Sequence, residues 1–81
     1  MDKEPTYVLI QCNLGAETDI IETITKMPNV VEVRGTYGTF DIFCRVVATS
    51  TETEKIVEQI RRISNIQSTT TLRTILSQGG K

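Results

Sequence analysis

The feature that most constrains the fold is an internal repeat. Shifting the sequence by 36 residues lays "IIETITKMPNV" over "IVEQIRRISNI", matching Ile20 with Ile56, Glu22 with Glu58, Ile24 with Ile60, Lys26 with Arg62, Asn29 with Asn65 and Val30 with Ile66. Each copy sets isoleucines at helical spacing, then turn residues, then a β-branched run. Thr18 to Met27 reads as the first helix, with Ile20, Ile21, Ile24 and Met27 apolar and Pro28-Asn29 stopping it. The second helix carries the stripe Ile56, Val57, Ile60 and Ile63. Thr51 with Glu54 has the spacing of a capping box at its start.

Four runs read as strands: Tyr7 to Asn13, Val30 to Tyr37, Phe40 to Ala48 and Gln67 to Leu76. The order is therefore β-α-β-β-α-β. Two β-α-β units with right-handed crossovers interleave into a four-stranded antiparallel sheet with both helices on one face, an α+β fold of the ferredoxin-like class. The domain is expected over residues 6–76, between short tails at 1–5 and 77–81.

Between the middle strands stands "TYGTFDIF", in which Gly38-Thr39 suits a two-residue II′ turn. That turn dictates a register. Gly35 then opposes Ile42, Val33 opposes Cys44 and Val31 opposes Val46, an apolar face suited to lying beneath the helices. The other face pairs Thr36 with Asp41, Arg34 with Phe43 and Glu32 with Arg45, and Tyr7, Leu9 and Gln11 extend it on the first strand. Such a mixture of apolar bodies and charges suits a surface covered by a second copy, so these residues are the expected dimer interface. An 81-residue domain has a thin core, which also favours association.

Nine basic against ten acidic residues leave a net charge of −1, and no basic run exceeds Arg61-Arg62, so no footprint for nucleic acid or anionic lipid is present. No apolar stretch is long enough to span a bilayer and the N-terminus lacks the pattern of a secretory signal, so the expected compartment is the cytoplasm. Cys12 and Cys44 lie inside apolar runs and read as small hydrophobes. Without histidine, a metal site is poorly supplied and no cofactor is expected.

The element order, "GTFD" fitting a Gly-x-Tyr/Phe-Asp hairpin signature, "IFCRVVA", "PNV" and the closing "NIQSTTTLRTIL" together resemble the effector (RAM) domain of the Lrp/AsnC regulators. The resemblance implies an amino acid or related small molecule as ligand, sheet-to-sheet dimers, and further assembly, often into octameric rings. With about six residues before its first strand, the chain is expected to be a stand-alone module. It would lack the family's helix-turn-helix, would not bind DNA itself, and could co-assemble with full-length Lrp/AsnC regulators. Gly38, Phe40 and Asp41 match the hairpin signature, and Thr69 and Thr71 stand in the segment that helps line the family's pocket. Tyr37 departs from the small polar residue common before that glycine.

Elementary chemistry runs parallel. A free amino acid needs an acceptor such as the Asp41 carboxylate, donors such as the amides around Gly38-Thr39 and the threonine hydroxyls, and an aromatic cover from Tyr37 or Phe40. Each residue also has a plainer use: Gly38 as the turn, Asp41 as a partner of Thr36 or the hairpin, the aromatics as packing at a subunit contact, the threonines as strand formers. Three other readings stay open. An ACT-like amino-acid module would move the site to Asn13, Leu14 and Gly15. An RNA-binding domain would use Tyr7 and Phe43, against the acidic balance. A small dimeric enzyme would need a histidine or paired acids, so the chain is expected to be non-enzymatic.

Overall fold

The computed structural model describes residues 4–80. Strand alternation and helical spacing yield β1 (Glu4–Cys12), α1 (Glu17–Thr25), β2 (Val30–Gly35), β3 (Ile42–Ala48), α2 (Ser50–Arg61) and β4 (Ile66–Arg73). The expected order holds. All strand pairs are antiparallel, and the sheet runs β2-β3-β1-β4. The fold is the ferredoxin-like α+β arrangement read from the repeat. Three boundaries differ. β1 already begins at Glu4, so Glu4 and Pro5 belong to the sheet rather than to the expected tail, whose residues 1–3 lie outside the described residues. At the other end β4 stops at Arg73, leaving Ile75 and Leu76 exposed beyond it. The capping box is made by Thr49 and Glu52 instead of Thr51 and Glu54. Both pairs have the same spacing, and the earlier one wins because the helix starts as soon as the chain leaves β3 at Ala48.

One face of the sheet is sealed by both helices. Val8, Ile10, Ile42, Cys44 and Val46 are fully buried against Ile20, Ile24, Ile56, Val57 and Ile60. The hairpin register is the expected one from Glu32↔Arg45 to Gly35↔Ile42. It fails one step further. Val46 pairs with Val30 rather than Val31, because an irregularity between Val30 and Glu32 inserts a residue. Val31 is thereby turned out, half exposed, and Val30 packs on the core in its place.

The repeat extends to the backbone. Asn29 and Asn65 both take positive φ, 68° and 73°, at the junction between helix and strand. An asparagine tolerates this left-handed conformation and reverses the chain toward the sheet. Replacing Asn29 with alanine is expected to cost about 1 kcal/mol, while glycine costs clearly less, as read by urea denaturation.

Cys44 is buried among apolar side chains, and desolvation pushes its thiol pKa up to about 11. The raised value means that the folded chain holds a proton which the unfolded chain releases near pH 9. Stability from this thiol is thus complete below pH 9 and is lost as pH rises toward 11, by up to about 1.4 kcal/mol per pH unit. Denaturation of the Cys44→Ala variant should show a correspondingly shallower alkaline loss than the unsubstituted protein.

Candidate functional site

The loop between β2 and β3 is wider than a two-residue turn. Thr36 donates its amide to the Asp41 carbonyl at 2.9 Å, and its hydroxyl donates to the Phe40 carbonyl at 2.7 Å, so residues 37–40 form the loop. The tight Tyr37–Phe40 pairing expected of a II′ hairpin gives way to this wider closure. Gly38 has φ of 110°, a conformation that glycine adopts without strain. Tyr37 is wholly exposed at the tip.

The end of β1 holds this loop. The Asp41 amide donates to the Ile10 carbonyl at 2.8 Å, while one carboxylate oxygen of Asp41 accepts the Cys12 amide at 2.9 Å. Asp41 therefore does have structural partners: its backbone carbonyl takes the Thr36 amide as expected, while its carboxylate goes to Cys12. Asp41 also lines a cleft of about 290 Å³ together with Glu17, Gly35, Thr36 and Tyr37. Burial, reinforced by Asp41 and Glu17, raises the pKa of the Cys12 thiol. Gln11 adds a third tie by donating its side-chain amide to the Thr39 carbonyl at 2.9 Å.

Thr69 and Thr71 are not brought to the loop. They pair with Ile10 and Val8, whose side chains are on the helix-covered face, and β4 is the sheet edge remote from β2. Thr69 accepts a hydrogen bond from Arg61 at 3.1 Å. Thr71 lines a groove of about 340 Å³ between α2 and β4, together with Glu54, Val57, Glu58, Arg61 and Arg73. The Thr71 hydroxyl oxygen is buried there with no hydrogen-bond partner among the described residues. The spacing Glu54, Glu58, Arg61 puts these three on one side of a helix. That signal lay in the sequence and pointed to the groove.

The ACT-type position is occupied structurally. Asn13 is tied to Asn65 through backbone and side chain and accepts from Gln67 at 2.7 Å, while Gly15 donates to Glu17 at 2.9 Å.

On the sheet face away from the helices, Tyr7 and Phe43 stack with ring centroids 5.7 Å apart. Arg34 and Arg45 both hold Glu32, at 3.2 Å and 3.4 Å, and these contacts, Arg34's first, lower the Glu32 pKa. Leu9 and Leu72 flank the aromatic pair. The expected interface residues thus share one half-exposed surface, except that Gln11 spends its side chain on the loop and on Ser68.

A sheet with one open face, a loop cleft and a mixed-charge groove defines a small ligand-binding domain of ferredoxin-like fold. The sequence matches the family described as the Lrp/AsnC ligand binding domain over residues 6–77, and the chain belongs to that family. Its structure is similar to that of the hypothetical protein PHS023 from Pyrococcus horikoshii, at 30% identity and TM-score 0.80, covering 91% of this chain and 92% of that one. It shares its fold with E. coli AsnC, at 21% identity and TM-score 0.81, covering 98% of this chain and 55% of that one. It also shares it with the Neisseria meningitidis transcriptional regulator NMB0573 in its L-Met complex, at 12% identity and TM-score 0.80, covering 95% of this chain and 53% of that one. Among curated proteins none matches the chain significantly. Among the described residues no helix is long and apolar enough to cross a membrane.

Truncating Asp41 to alanine leaves the part-buried Cys12 amide without an acceptor, which should lower stability by about 1–3 kcal/mol in thermal or urea denaturation. Asp41→Asn keeps a carbonyl oxygen in place and is expected to cost clearly less.

Proposed function

We propose that this chain is an amino-acid-sensing and oligomerisation module that modulates transcription regulators or metabolism through its assembly, without binding DNA itself. The observation that carries this reading is the α2–β4 groove. Thr71, whose buried hydroxyl has no hydrogen-bond partner among the described residues, lines a wall that also offers two guanidiniums, two carboxylates and the apolar side chain of Val57. A zwitterion can meet one group of each sign and lie against Val57. Its carboxylate suits Arg61 or Arg73, its ammonium suits Glu54 or Glu58, and Thr71 gains the partner whose absence is otherwise costly. That a regulator of the same fold was solved in complex with L-Met is consistent with this ligand class.

The groove is open on its outer side, and the hairpin cleft, which Tyr37 and Asp41 line but Gly38, Thr39 and Phe40 do not, shares no lining residue with it. Both sets of sequence-derived site residues can therefore serve one ligand only if a neighbouring copy brings its loop to the groove. In this reading Tyr37, exposed at the tip, is the aromatic cover supplied by the neighbour. Pairing through Tyr7, Leu9, Glu32, Arg34, Phe43 and Arg45 makes the homodimer, and the loop-to-groove contact joins dimers into a larger assembly, an octamer or a mixed assembly with full-length Lrp/AsnC regulators. Covering the open apolar face is worth about 25 cal/mol per Å² of apolar area.

Native mass spectrometry across the twenty amino acids, reading adduct mass and assembly size together, tests this. At least one amino acid should add to the assembly and shift its size. Thr71→Val should raise the stability of the free protein by about 1 kcal/mol, since an unpartnered hydroxyl is removed, yet weaken the adduct about tenfold. Absence of any adduct, or an assembly indifferent to both Thr71→Val and Asp41→Asn, refutes the effector reading.

A further inference from the structure

The last residues of β1 are where the sheet's open face and the hairpin loop meet. Gln11 pairs with Ser68 of β4 on that face, accepting the Ser68 hydroxyl at 2.7 Å, and donates across to the Thr39 carbonyl at 2.9 Å. Both ends of one side-chain amide are thus committed, one to an edge strand and one to the loop. The other two ties of the loop to β1 involve the Ile10 carbonyl and the Cys12 amide, and neither uses a side chain of β1.

The geometry points to Gln11 as a positioning residue that couples the covering of the open sheet face by a second copy to the placement of the hairpin loop. This rests on the face-to-face pairing proposed above. Both Gln11 bonds are solvent-exposed in the single chain, where water competes for each donor and acceptor. A second copy lying on the face displaces that water and lowers the local dielectric, which strengthens a satisfied polar pair. The loop is then fixed against β1 more firmly in the dimer than in the monomer. By linkage, whatever steadies the loop also favours the dimer. The segment bearing Gly38, Phe40 and Asp41 would thereby be presented to neighbours only by paired protomers.

The test needs no ligand. Amide hydrogen exchange by NMR reads the bonds that pin the loop: the Thr36 and Asp41 amides, both bonded within or next to it, and the Cys12 amide held by Asp41. In the unsubstituted protein their protection should rise about tenfold as concentration passes from monomer to dimer. Gln11→Leu, which keeps a side chain of comparable bulk and removes both bonds, should still dimerise in sedimentation but show no such rise. Ser68→Ala should give an intermediate slope. A bond of merely structural value would lower protection by the same factor at every concentration in Gln11→Leu. That result, or protection in the unsubstituted protein that ignores concentration, overturns the inference. A concentration-dependent rise without any amino-acid adduct would sink the effector reading and leave this coupling standing.

Discussion

Strand β1 is the element on which the rest depends. It is paired along most of its length to β3 on one side and β4 on the other, so this strand of the first β-α-β unit fills the gap between the two strands of the second. Its inward side chains, Thr6, Val8, Ile10 and Cys12, are buried, and the two helices pack over Val8 and Ile10. A break in this strand would leave β4 without its only sheet neighbour among the described residues and β3 with β2 alone. The same strand, at its last residues, is also what fixes the candidate loop, through the Ile10 carbonyl, the Gln11 side chain and the Cys12 amide. Core packing and the placement of functional groups are therefore carried by one segment.

Because a strand alternates, β1 serves two surfaces at once. Its even residues seal the helix side and its odd residues, Tyr7, Leu9 and Gln11, build the open side. The same alternation carries Thr69 and Thr71 to the helix side of β4, away from the surface that bears the stacked Tyr7 and Phe43. Sheet order then puts the hairpin and β4 on different flanks of β1. A single protomer of this topology keeps the loop cleft and the α2–β4 groove apart, with no lining residue in common. That geometry is the physical reason for treating assembly and ligand binding as one question.

Most of the architecture was legible in periodicity. The isoleucine spacing of Ile20, Ile24, Ile56 and Ile60 marks two helices whose buried stripes are the observed ones, and the alternation of Ile42, Cys44 and Val46 places the inner face of β3 correctly. Around the candidate site, the register from Glu32 to Gly35 was readable because two alternating runs flank the turn residues, whereas the two-residue turn itself was not what formed. What escaped were choices between local options of nearly equal quality. Thr49 and Thr51 each precede a glutamate by three residues, and only the end of β3 selects between them. Val30 and Val31 are both β-branched, so nothing in their identity announces which one the irregularity expels.

By itself the sequence determined the element order, the two faces and the family, since these follow from the spacing of side chains along one chain. Tertiary structure decided which polar groups meet. That Asp41 spends an oxygen on Cys12, that Gln11 spans from Ser68 to Thr39, and that the Thr71 hydroxyl has no hydrogen-bond partner among the described residues are outcomes of contacts between distant residues. Hydrogen bonds depend on distance and direction to within fractions of an ångström, and a linear pattern of residue types carries that information only after the chain has closed on itself.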